Sequence, residues 1–198
     1  MRKVIAAINM TIDGFCDHTA GIADADLHQH YTDLISDAGV VLYGRTTYQL
    51  MQYWQTLVEN PSGEQAMDCF ALAIDRVPKI VFSATLKETG WKSAELADKT
   101  LEEKLAELKQ QSGKDILIGS RSLIIQLLNL NLIDEFQLCI HPVIEGKGLP
   151  LFNQIKTRTY FRLLKTKTLT SGATVFYYQP LIENNSPAEV TSTPKDWK

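Results

Sequence analysis

Short apolar runs separated by helix-length segments constrain this fold more than any other feature of the chain. Residues 4–8 (VIAAI), 40–43 (VVLY), 79–83 (KIVFS) and 115–118 (DILI) are each four or five residues long. Runs this short with apolar side chains on consecutive positions suit strands buried on both faces of a parallel sheet. Between them lie stretches with a helical period. A helix is expected from Asp24 or Asp26 to about residue 36, with Leu27, Tyr31 and Leu34 on one face. Thr46 is expected to cap a helix running through Trp54. After the Asn60-Pro61-Ser62-Gly63 turn, residues 64–74 turn Met67, Phe70 and Ile74 inward. Residues 101–110 bury Leu101, Leu105 and Leu108 and wet Glu103, Lys104 and Glu107. Residues 122–130 form the last expected helix.

Residues 91–96 read as a short strand and 134–140 as a fifth buried one. Residues 160–170 and 174–179 alternate in polarity about Ser171-Gly172, the pattern of an antiparallel hairpin. The order predicts an α/β fold of three layers with a mainly parallel sheet and an antiparallel C-terminal edge. Residues 181–198 hold two prolines and no period, so they read as a flexible tail after a single domain spanning 1–180.

Charge narrows the function. Lys and Arg number 20 against 23 Asp and Glu, and the net charge is −3. Proteins that bind nucleic acid through its phosphates carry a basic excess, so nucleic acid is not an expected partner. No apolar run approaches the roughly 20 residues that span a bilayer, so no membrane partner is expected. The apolar start is too short for a secretory signal, and three cysteines without metal spacing suit a cytoplasmic chain without disulfides. Cys139 lies in an apolar run and reads as a buried thiol.

Ligands of open α/β sheets sit beyond the carboxyl ends of the strands. Five segments follow strands here: 9–14 (NMTIDG), 44–47 (GRTT), 83–85 (SAT), 119–122 (GSRS) and 141–148 (HPVIEGKG). Each holds Gly, Ser or Thr, and two hold Arg. Backbone amides, hydroxyls and guanidinium groups are what a phosphate-bearing ligand requires. One such segment alone is an ordinary turn; the repetition is the signal. His141 ends a strand before Pro142 and either touches a ligand or is a satisfied structural histidine. Residues 13–33 are rich in Asp and His. His28 and His30, two apart on a helix, point to different faces, so no metal site is expected.

The ordered set of motifs resembles the dihydrofolate reductase fold family, in particular the branch containing the reductase domain of bifunctional riboflavin-biosynthesis enzymes. The residues that carry it are Thr11-Ile12-Asp13-Gly14, then 42–48 (LYGRTTY), 78–83 (PKIVFS), 114–120 (KDILIGS), 132–136 (LIDEF) and 141–152 (HPVIEGKGLPLF). The resemblance implies a dihydrofolate reductase-like fold, an NADPH cofactor and, often, a homodimer. It places Gly44, Arg45, Thr46 and Thr47 at the cofactor phosphates, and Ser83 and Ala84 at its adenosine end. Gly119, Ser120, Arg121, Ser122 and Leu123 fall under the pyrophosphate, and Asp13 and Gly14 near the nicotinamide. It makes Asp26 the candidate proton donor, with Asp24 and Asp33 competing. The family commonly carries Gly-Gly where this chain has Gly119-Ser120, across a bond that is cis in dihydrofolate reductases. Either serine fits that crowded turn or cofactor binding is weakened, and Arg121 is expected to compensate by reaching a phosphate. The deaminase signature that accompanies the reductase in the bifunctional enzymes is absent from this sequence. Two readings follow: an NADPH-dependent reductase of a small pteridine- or pyrimidine-like heterocycle, or a non-catalytic or regulatory nucleotide-binding module that keeps the fold.

Overall fold

A computed structural model describes residues 1–181. Its elements run β1 (Val4–Thr11), α1 (Ala25–Ser36), β2 (Ala38–Gly44), α2 (Arg45–Met51), α3 (Tyr53–Glu59) and α4 (Gln65–Arg76). They continue with β3 (Lys79–Phe82), β4 (Ala94–Leu96), α5 (Leu101–Gln110), β5 (Asp115–Ile118) and α6 (Arg121–Asn129). Three strands close the chain: β6 (Glu135–His141), β7 (Tyr160–Thr168) and β8 (Thr174–Leu181). The expected tail lies outside the described residues, apart from Leu181, which pairs with Tyr160 at the end of β8.

The strands form one sheet in the order β4-β3-β2-β5-β1-β6-β8-β7. All pairings from β4 to β6 are parallel, and β8 pairs antiparallel with both β6 and β7. Both faces of the parallel part are covered, which is why its strands read as unbroken apolar runs. On one face Leu101, Leu105, Ile124 and Leu127 meet Val4, Ala6, Leu42 and Ile116. On the other, Ile35, Phe70 and Ile74 meet Val41, Tyr43 and Leu117. Full burial of each such side chain contributes roughly 1.5–3 kcal/mol.

Two local expectations change. The helix expected to run from a Thr46 cap through Trp54 is two helices that break at Gln52, with Gly44, two residues earlier than Thr46, as the uncapped N-cap. No peptide bond among the described residues is cis, so Gly119–Ser120 is trans. Asp24 caps α1 through the Leu27 amide, as the helix-start signals suggested.

Strand length positions the site. The last residue of β5, Ile118, pairs with Ala6 of β1 and Leu42 of β2. The neighbouring strands run on, β1 to Thr11 and β2 to Gly44. The carboxyl edge of the sheet therefore has a notch above β5, filled at its base by Gly119-Ser120.

Candidate active site

The notch opens into a cavity of about 510 Å³ lined by Gly44 at the end of β2, Arg45, Thr46 and Thr47 from α2, Ser122, Leu123 and Gln126 from α6, together with Phe82, Thr100 and Leu101. No carboxylate lines it.

Close packing of strand ends builds its floor. A Cβ on Gly44 would lie 3.0 Å from Ser122 Oγ, and one on Gly119 would lie 2.9 Å from the Tyr43 ring. Glycine at both positions lets the start of α6 approach the end of β2. Ser120 is 1% exposed, and its Oγ accepts the Gly44 amide at 2.8 Å. That hydroxyl is therefore spent on joining the two strand ends and does not cap α6, whose first-turn amides have no side-chain cap. Serine fits the crowded turn by making this bond. α5 is different: Thr100 and Glu103 form a capping box at its start.

Arg45 is exposed, and its guanidinium donates to Thr85 Oγ1 at 2.9 Å. Ser83 Oγ accepts the amides of Thr85 and Leu86. Ser83 and Ala84 thus form the turn that holds Thr85, and Thr85 holds Arg45 at the cavity rim. Arg121 goes elsewhere. Its Nε donates to the Pro150 carbonyl at 2.8 Å and its Nη2 to Asn153 Oδ1 at 2.7 Å. It ties the start of α6 to the loop after β6 and is not among the cavity-lining residues.

Both candidate acids are engaged. Asp26 Oδ2 accepts the Thr170 amide at 3.0 Å, which binds α1 to the β7–β8 turn. Asp24 Oδ2 accepts the Thr170 hydroxyl beside it. Asp33 lies further along α1 and accepts Gln29 Nε2. Asp13 accepts the Thr11 hydroxyl at 2.6 Å and the amides of Glu145 and Gly146. These bonds, the hydroxyl's foremost, hold its carboxyl below the usual range. The Thr11–Gly14 motif and the loop after β6 are thus one clamped unit, joined also by Ile12 N to Val143 O.

His141 is fully buried. Its Nδ1 accepts the Ile22 amide at 3.0 Å and its Nε2 lies 3.2 Å from Asn9 Oδ1, the arrangement of a structural histidine. His28 packs against Trp54 and Phe70 while His30 packs against Tyr31 and Tyr177, so the two rings face apart. No group of three His, Cys, Asp or Glu side chains able to hold a metal occurs among the described residues. Cys139 is 1% exposed, and burial pushes its thiol up to about 12. Among the described residues, no helix is long and apolar enough to cross a membrane.

The sequence reading missed Phe82, Thr100, Leu101 and Gln126. For the α5 pair a signal existed, since Thr100 with Glu103 is a legible helix-start motif.

Comparison with known proteins agrees with this architecture. The sequence profile of the RibD C-terminal domain matches residues 2–175. The uncharacterized protein YyaP of Bacillus subtilis (strain 168) is 35% identical over 181 residues, covering 89% of this chain and 94% of that protein. A putative riboflavin biosynthesis protein from Shewanella sp. PV-4 superposes with a TM-score of 0.68 at 21% identity, covering 91% of this chain and 99% of that one. A diaminohydroxyphosphoribosylaminopyrimidine deaminase/5-amino-6-(5-phosphoribosylamino)uracil reductase from Thermotoga maritima superposes at 0.64 with 17% identity. That match covers 91% of this chain but 57% of the longer protein. The dihydrofolate reductase-like fold is therefore that of the riboflavin-biosynthesis reductase domains.

Proposed function

Because the chain belongs to the RibD C-terminal domain family, we propose that it is an NADPH-dependent reductase of a small pteridine- or pyrimidine-like heterocycle, acting as a cytoplasmic homodimer. One observation carries the reading: a cavity of about 510 Å³ at the carboxyl edge, bearing a guanidinium, four hydroxyls and no carboxylate. That donor set fits a phosphate-rich cofactor. Arg45 would hold the phosphate that distinguishes NADPH from NADH. Thr46, Thr47, Ser122 and the uncapped amides of α6 would hold the pyrophosphate. When bound, NADPH supplies the hydride. The chain's part is to orient the ring over the notch and keep water from it. The unpaired Cys16, Cys69 and Cys139 suit a reducing compartment, and exposed Tyr160, Leu163 and Leu164 on the edge strand β7 offer a dimer surface.

Arg45→Ala should raise the dissociation constant for NADPH about tenfold while changing that for NADH little, the loss of one charge-assisted contact. Fluorescence titration of both cofactors reads the difference. An equal loss for both would remove Arg45 from the 2′-phosphate.

A second reading is a nucleotide-binding module without turnover, whether regulatory or simply non-catalytic. The engagement of both Asp13 and Asp26 favours it, since each carboxyl already accepts a backbone amide from a neighbouring loop or turn. NADPH oxidation assays with dihydrofolate and with pyrimidine substrates separate the two. Binding without turnover selects the module, and absence of NADPH binding rejects both.

A further inference from the structure

We infer that Asn9 reads the substrate, presenting its two amide hydrogens as a fixed donor pair that selects a ring carbonyl or unprotonated ring nitrogen.

The orientation follows from a chain of hydrogen bonds that starts at the backbone. The Ile22 amide has a hydrogen to give, and it donates to His141 Nδ1 at 3.0 Å. That nitrogen must therefore carry a lone pair, so the neutral ring holds its proton on Nε2. Nε2 lies 3.2 Å from Asn9 Oδ1 and donates to it. The Tyr31 hydroxyl donates to the same oxygen at 3.0 Å. The reversed amide would set a hydrogen against the His141 Nε2–H, which cannot accept, so His141 fixes the orientation and the Tyr31 hydroxyl follows it. Asn9 Oδ1 is thus saturated, and Asn9 Nδ2 has no acceptor among the described residues. Burial keeps both partners in the neutral forms this needs: it lowers His141, against a raising effect from Asp24, and raises Tyr31. Gly21 packs against the His141 ring, where a Cβ would come 3.1 Å from Nε2, so the ring has little room to turn.

The place matters as much as the polarity. Asn9 stands on β1 three residues beyond Ala6, the last residue paired with β5, so it lies past the end of β5, one residue beyond the level of Gly44 and on the α1 face of the sheet. It is half-buried. Its oxygen faces α1, from which Tyr31 reaches it. A flat ring on the α1 side of the notch, across the sheet edge from the cavity lined by α5 and α6, would meet these donors with an acceptor, whereas a ring N–H at the same edge would face hydrogens. Tyr31 and His141 are positioning residues, acting through Asn9. The inference rests on the reductase reading for the ring's identity, but the donor pair can be tested without cofactor.

The experiment titrates the full chain with uracil, a dioxopyrimidine carrying two carbonyl acceptors, with and without NADPH, by NMR. Wild-type protein should bind it with a shift of the Asn9 side-chain amide signals. Asn9→Ala should weaken binding about tenfold, and Asn9→Asp more, since it sets oxygen against oxygen. Tyr31→Phe should weaken it less, because the His141 bond still orients the amide. Each variant should keep the wild-type NADPH affinity, which shows that the fold is intact. Nitrogen shifts should show His141 protonated on Nε2 alone at neutral pH. Failure of uracil to bind wild type, unchanged binding in Asn9→Ala, or a proton on Nδ1 would each overturn the inference. Absence of NADPH binding with the uracil pattern intact would instead reject the reductase reading and leave the donor pair standing.

Discussion

Lys79→Ala is expected to lower the free energy of unfolding by about 3–5 kcal/mol, and Lys79→Met by roughly 1–2 kcal/mol. Lys79 opens β3 and is 1% exposed. Its ammonium donates to the carbonyls of Val77 at 2.9 Å and Asp75 at 3.3 Å and to Ser93 Oγ at 2.7 Å. It also sits 4.1 Å above the Trp91 ring, and Trp91 Nε1 is itself bonded to the Asp75 carboxylate. One side chain thus closes the end of α4 onto β3 and onto the turn before β4. Alanine removes the stem as well as the donor and leaves a void among orphaned carbonyls. Methionine refills the void and removes a buried charge, so its cost is smaller. Urea unfolding of the three proteins measures both values, and a methionine variant as unstable as alanine would mean that packing of the stem counts for little.

The same lysine makes a pH prediction. Burial lowers its pKa from 10.5 to about 8, against the raising effect of Asp75. Between those two values the unfolded chain holds a proton that the folded chain has released. Stability should therefore rise as pH climbs through that window. Buried Cys139, raised from 9.0 to about 12, acts with the opposite sign once pH nears 9, and the raised tyrosines do so once it nears 10. Melting temperatures should climb from pH 8 to about 9 in the wild type and lose that rise in Lys79→Met. A wild-type melting temperature that fails to rise between pH 8 and about 9 would show that the lysine keeps its proton when folded.

Lys79 also shows what a sequence can and cannot reveal. The run 79–83 was legible as a buried strand, but its lysine's partners come from Asp75 in the last turn of α4, Val77 at that helix's C-cap and Ser93 just before β4. Features that depend on local spacing were readable. The apolar runs gave the strands, and Leu101, Leu105 and Leu108 gave the buried face of α5. At the site, Gly44 to Thr47 and Ser122 were legible because glycine and hydroxyl residues closely follow strands, whereas Leu123 was legible only through the family resemblance. Arg121 and Asp26 were harder. Their chemistry was visible, but the acceptors and donors that engage them, Pro150, Asn153 and Thr170, arrive through later chain. Gln126 was hidden for the same reason, since only the crossover geometry turns it toward the cavity.

Ser120→Gly, which restores the family's commoner Gly-Gly pair, is expected to cost about 2–4 kcal/mol of stability and to weaken NADPH binding. A buried amide left without its partner costs roughly 1–3 kcal/mol, and glycine adds up to about 1 kcal/mol of chain entropy. The orphaned donor would be the Gly44 amide, now held by Ser120 Oγ at 2.8 Å. Gly44 is both the N-cap of α2 and a wall of the cavity, so loosening it moves Arg45, Thr46 and Thr47 together. Ser120→Ala separates the contributions, since it removes the bond but keeps the Cβ, and should fall between wild type and glycine. Denaturant unfolding and NADPH titration on the same samples supply both readouts. A glycine variant that bound NADPH more tightly would mean the serine side chain burdens the turn. Tighter folding and weaker binding in the variant would mean that the Ser120–Gly44 bond serves the cofactor at the expense of the fold. The expected joint loss makes the serine a local replacement for what the glycine pair supplies, a close and fixed approach of two strand ends beneath the cavity.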